Sequence, residues 1–257
     1  MNGFIPVLLY HSVADDRVSE DRFAVSPAMF ESHVDAIEAS GRVTLTMGEL
    51  ADCLRGERPL PERAAAVTFD DGFADNAGAA MSLLSRGLRS TLYITTGELG
   101  APDRLTPSLV GELADAPGIE IGAHGVRHRY LDELGERELA HEVSASRAAL
   151  EDMIRTPVHS FAYPHGGYDR RVRAAVIDAG YRCAAAVKNA LAHPAEDPFA
   201  IARWTVTRDV SAARIALVLA GHAVPLSWSR ERVRTRAYRM VRRQRRRVAR
   251  VLKPDDS

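Results

Sequence analysis

Residues 65–72 read Ala-Ala-Val-Thr-Phe-Asp-Asp-Gly, a short run suited to a buried strand that stops at two carboxylates and a glycine. Comparable apolar runs stand at Pro6–Tyr10, Thr91–Thr95, Ile119–Ala123, His159–Tyr163 and Cys183–Val187, with a further candidate at Ala200–Val206. Helical patterns with recognisable starts lie between them. Ser26-Pro27 and Thr106-Pro107 are cap and first-turn pairs, Gly41 and Gly180 close helices, Glu136–Ile154 is a long amphipathic stretch, and Asp169 is a cap. Buried strands alternating with crossover helices predict a mainly parallel sheet covered by helices. An open doubly wound sheet and a closed barrel both fit, and the strand count favours a single-domain α/β barrel.

In such barrels the loops at the carboxyl ends of the strands build the site. Four strand ends here carry chemically loaded groups: His11, Asp70-Asp71, His124 and Pro164-His165. Adjacent carboxylates after an apolar strand are costly to bury unless paired, hydrogen-bonded or metal-bound, although Asp-Asp-Gly also suits a plain turn. His124 and His128, four apart, lie on one face if the segment is a helical turn, close enough to share a cation. With nine histidines in the chain the spacing alone is weak, but Asp71, His124 and His128 together supply three ligands and leave a position open for water, as a catalytic zinc requires. Phe161–Tyr168 holds a proline and two glycines that stiffen a turn, suited to a groove wall or to an amide that binds an oxyanion.

The chain has 257 residues, 46% hydrophobic and 26% charged, which excludes disorder and a disulfide-dense mini-domain. Cys53 and Cys183 are its only cysteines, too few for a cysteine metal cluster, and they are expected to pack as small apolar groups. No run approaches a membrane span, and the first residues lack a secretory leader pattern, so the expected compartment is the cytoplasm. The zero net charge hides a split. From Ser227 to Ser257, eleven arginines and Lys253 against Glu231, Asp255 and Asp256 leave +9, so the remainder carries −9. That division predicts a catalytic domain over residues 1–226 and an Arg-rich helix over 227–257. A basic amphipathic helix suits an anionic membrane surface at the inner face, docking on the acidic body, or plain solvation. Nucleic acid is disfavoured, since few aromatics interleave the arginines.

TFDDG, HGVRH and FAYPHGGYD, in that order after VLLYHSV, resemble the polysaccharide deacetylase family with its NodB-type domain (carbohydrate esterase family 4), and the likeness runs over roughly Pro6 to Val206. The Tyr10-His11 pair is similar to the poly-N-acetylglucosamine deacetylase subgroup. The resemblance implies a distorted (β/α) barrel that removes acetyl groups from N-acetylated saccharides with a divalent ion, zinc foremost. It implies Asp70 as general base, Asp71, His124 and His128 as metal ligands, and Pro164 with the His165 amide against the substrate. Four positions depart from the family pattern. Gly125 stands where Ser or Thr is usual, Ala162 where an arginine orients the base, His165 where an aromatic follows the proline, and the late Leu-x-x-x-His motif is unclear. Arg203 and Arg208 are candidates to replace the arginine. His11 and His222 compete as general acid, with His11 favoured. A metal-independent cyclic amide hydrolase and a non-catalytic glycan-binding protein are the alternative functions.

Overall fold

The computed structural model describes residues 3–15 and 21–227. The predicted Arg-rich C-terminal helix lies outside the described residues. The elements in chain order are β1 (Val7–Tyr10), α1 (Pro27–Ala39), β2 (Val43–Leu45), α2 (Met47–Leu54), β3 (Ala64–Phe69), α3 (Asn76–Ser85), β4 (Ser90–Ile94), α4 (Pro107–Ala114), β5 (Ile119–Ala123), α5 (Glu136–Ile154), β6 (Ser160–Ala162), α6 (Arg170–Asp178), β7 (Cys183–Val187), β8 (Ile201–Thr205) and α7 (Ala212–Leu219). No helix among the described residues is long and apolar enough to cross a membrane.

The caps read from the sequence form as hydrogen bonds. Ser26, Thr106 and Asp169 accept from the amides of Met29, Leu109 and Val172, each satisfying a donor that the first helical turn leaves free. The strands are all parallel and run β1-β8-β7-β6-β5-β4-β3, and β3 returns to β1, so the sheet closes into a seven-stranded barrel. Closure is where the α/β barrel expectation is met.

β2 is an eighth strand that the sequence reading did not anticipate. It pairs with the start of β3 (Thr44 opposite Ala65), whereas β4 pairs with the end of the same strand (Thr68 opposite Thr91). The opposite edge of β3 is taken by β1, from Val7 opposite Ala66 to Tyr10 opposite Phe69. Three residues with an exposed Val43 are too short for any periodicity to show. They are held in place by the next helix, whose Thr46 and Glu49 form a reciprocal capping box.

The core between α1 and the barrel wall is aromatic. Tyr10, Phe30 and Phe69 meet with ring centroids 5.3–5.9 Å apart. His33 of α1 is buried there. Its Nε2–H donates to the Val210 carbonyl at 2.9 Å, and its Nδ1 accepts from the Tyr10 hydroxyl at 3.2 Å. It is thus a packed histidine, and both cysteines are buried as expected.

Candidate active site

Asp70 follows β3 directly, and its amide donates to the Tyr10 carbonyl, extending the β3–β1 ladder by one residue. The next residue turns away. Asp71 has φ +74°, and its carbonyl accepts from Arg104 at 3.1 Å. For a non-glycine residue this left-handed backbone carries strain, of the kind that fixed surroundings hold at functional sites. It sends two neighbouring carboxylates to different partners.

Asp70 faces Arg203 of β8, the largest fully buried side chain. Nη1 and Nη2 donate to Oδ1 and Oδ2 at 2.6 and 2.8 Å, a bidentate fork, and Nη1 also donates to the Thr68 hydroxyl at 3.2 Å. Burial pushes the Asp70 carboxyl up, but Arg203 and His124 outweigh it and hold it below the usual carboxylate range. Arg203 is thus the arginine paired with Asp70, a partner that Ala162 does not provide. Arg208 lies off the pair, 3.9 Å from Asp209.

Asp71 Oδ1 sits 3.4 Å from Nε2 of His124 and 3.1 Å from Nε2 of His128. Donor atoms of all three lie within 4.8 Å of one another, two of them on the loop after β5 and one after β3. His124 is buried, and its Nδ1–H donates to the Ala162 carbonyl at 2.8 Å, which leaves Nε2 aimed at the carboxylate. Two imidazole nitrogens converging on one buried carboxylate oxygen form an arrangement that a cation can complete. The donor set of one oxygen and two imidazoles fits zinc with a position to spare. Burial raises the Asp71 carboxyl, but the two histidines prevail and hold it well below its ordinary value. The histidine pair does not lie on a helical turn, as its spacing suggested. Residues 124–128 form an irregular loop in which His128 has φ +51°.

His11, at the end of β1, is half-buried against the Phe23 ring at 4.9 Å, with a buried Nδ1 that has no hydrogen-bond partner among the described residues. Its carbonyl accepts from Asn76 Nδ2 at 2.6 Å, and Asp75 accepts from the Ser12 hydroxyl and the Val13 amide at 2.6 and 3.0 Å. Burial lowers the pKa of His11, while Asp70 and Asp71 raise it, so the ring belongs to the same electrostatic cluster. His222 is exposed after α7, and a side chain on its neighbour Gly221 would strike Phe4, which precedes β1. That is the amino end of the barrel, opposite the carboxylates, so the structure brings His11 and not His222 to the site.

Pro164–Gly166 forms a 3₁₀ turn after β6. The amides of Gly166 and Gly167 donate to Tyr163 and Pro164, while the His165 amide has no partner among the described residues. The His165 ring stacks on Tyr130 at 3.9 Å, and its Nε2–H donates to the His128 carbonyl at 3.0 Å, tying this turn to the His124–His128 loop. Burial lowers its pKa to about 4. Sequence reasoning missed Asp75, Asn76 and Glu142. The last had a signal: an acid on the apolar face of α5, between the buried Leu139 and Val143.

A parallel barrel whose strand ends converge on a forked carboxylate and an Asp-His-His cluster has the layout of a barrel enzyme, with its candidate site at the carboxyl ends of the strands. Residues 57–184 match the family described as Polysaccharide deacetylase, and the chain belongs to that family. It is 26% identical over 208 residues to YxkH of Bacillus subtilis (strain 168), whose name places it provisionally among polysaccharide deacetylases, covering 80% of this chain and 73% of that protein. It is 28% identical over 72 residues to the poly-beta-1,6-N-acetyl-D-glucosamine N-deacetylase of Escherichia coli (strain K12), a stretch that is 28% of this chain and 11% of that protein. The fold is shared with the Streptococcus pyogenes deacetylase PplD, with TM-score 0.78, 20% identity, and 85% of this chain and 99% of that one covered. His11 and Arg203 lie outside the residues matched to the family.

Proposed function

We propose that the chain is a metal-dependent N-deacetylase that hydrolyses the acetamido group of an amino-sugar-containing glycan or glycoconjugate. The observation that carries this reading is the convergence of Asp71, His124 and His128 beside an Asp70 carboxylate held ionised by Arg203. The E. coli relative's name supports N-acetylglucosamine polymers as the substrate class. Asp71, His124 and His128 would hold the ion, zinc by their donor set, and it supplies Lewis acidity that polarises the acetyl carbonyl and acidifies water.

The remaining work falls to this chain's own groups. Asp70 takes a proton from the attacking water through a carboxylate oxygen. The unpartnered His165 amide donates to the oxyanion that develops as the carbonyl becomes tetrahedral. His11 delivers a proton to the amine as the carbon–nitrogen bond breaks, and the products are acetate and a free amino sugar.

The test is acetate release from N-acetylglucosamine oligomers, with and without chelator. Asp70→Asn is expected to lose about 10²–10⁴-fold in turnover while its zinc content stays that of the wild type. Undiminished turnover in that variant removes Asp70 as the base, and chelator-insensitive wild-type turnover removes the metal.

A further inference from the structure

Gly125 stands where the family resemblance leads one to expect a hydroxyl side chain, between the two histidines of the ligand set. Its φ is +78°, and a Cβ built on it would lie 3.2 Å from Oε2 of Glu142. That same oxygen accepts from the Val126 amide at 2.8 Å and the Arg127 amide at 2.9 Å. Glu142 is 2% exposed and reaches the loop from the middle of α5. The loop is gripped from its other side as well. The amides of Thr96 and Gly97 donate to the Gly125 and Val126 carbonyls at 3.1 and 2.8 Å, and a side chain at Gly97 would come within 2.5 Å of the Val126 oxygen.

We infer that Glu142 is a positioning residue for the metal ligands, doing for the His124–His128 loop what a hydroxyl at position 125 would otherwise do. This rests on the metal reading of the site. A buried carboxylate left with two backbone donors orders the loop that they belong to, because unpairing them costs each amide its desolvation. The loop so ordered fixes the separation of two imidazoles whose own torsions are already limited, His124 by the Ala162 carbonyl and His128 by a left-handed backbone. Gly125 is the counterpart of Glu142, since a side chain there would adopt a left-handed backbone and press against the carboxylate oxygen at 3.2 Å.

The experiment measures zinc affinity of the full-length chain by competition with a chromophoric chelator. The visible spectrum of the cobalt-substituted protein and the thermal midpoint of the metal-free protein are recorded alongside. Glu142→Ala is expected to weaken zinc binding by about 10–100-fold and to alter the cobalt spectrum. Glu142→Gln keeps an oxygen that can accept both amides and is expected to stay within about tenfold of the wild type. Glu142→Asp keeps the charge but falls a methylene short, and is expected to bind more weakly than Glu142→Gln. Wild-type affinity and spectrum in a folded Glu142→Ala protein overturn the inference, as does a tight Glu142→Asp beside a weak Glu142→Gln. A lowered midpoint with unchanged affinity also overturns it, since it leaves Glu142 a purely structural role. Absence of zinc binding in the wild type instead overturns the metal reading beneath it.

Discussion

Arg203 reaches the site fully buried, and its worth depends on what it faces. A buried ion pair gains little over a well-packed apolar pair, yet removing one partner strands the other charge in a dry place. Arg203→Met is therefore expected to cost about 3–5 kcal/mol of stability, read as a fall in urea midpoint at constant slope. Arg203→Met combined with Asp70→Leu is expected to recover most of that loss. A single variant as stable as the wild type would show that Asp70 is neutral or solvated, contrary to the fork seen here. Asp71 and His128 belong to the same scale: both adopt left-handed backbone at residues other than glycine, and both present donors to the same cluster.

At the scale of elements, His33 joins three of them. It sits on α1, accepts from Tyr10 at the end of β1, and donates to Val210, just before the Ser211 cap of α7. Burial lowers its pKa below 6.5, against the opposing effect of the Val210 carbonyl. Because the folded value is depressed, the unfolded chain binds the proton first as pH falls. The contribution is complete above about pH 6.5 and drains away below it. Denaturation midpoints of the wild type are expected to fall from pH 7.5 to pH 5.5 more steeply than those of His33→Gln. Parallel slopes in the two proteins would show that the buried ring does not carry this linkage.

For the molecule as a whole, the Asp71, His124 and His128 cluster joins the loop after β3 to the loop after β5, on either side of β4. An ion that binds the folded barrel and not the unfolded chain stabilises it by mass action, by about 2.7 kcal/mol at a free zinc concentration a hundredfold above the dissociation constant. Thermal midpoints are expected to rise on zinc addition and to return with chelator, and His128→Ala is expected to abolish the rise. An equal rise in that variant would place the ion elsewhere.

Local pattern alone determined the alternation of strands and helices, the helix caps, and the polar groups at four strand ends. Each of these follows from the period of apolar residues or from hydrogen bonds made within a few residues. The grouping of Asp71, His124 and His128 was legible for the same reason, since parallel strands deliver their ends to one face. What lay beyond the sequence depended on partners brought from afar. Arg203 lies 133 residues from the Asp70 it grips, and only barrel closure, with β1 paired to β8 on one edge and to β3 on the other, brings the two strands close. His11 was favoured over His222 by its place at a strand end, but only the fold put one at the carboxyl end of the barrel and the other at the amino end. The His124–His128 spacing suggested a helical turn, but its amides are claimed instead by Glu142 from a separate helix. Short-range chemistry writes the elements; a buried polar group finds its partner only when packing excludes the water that would otherwise have served it.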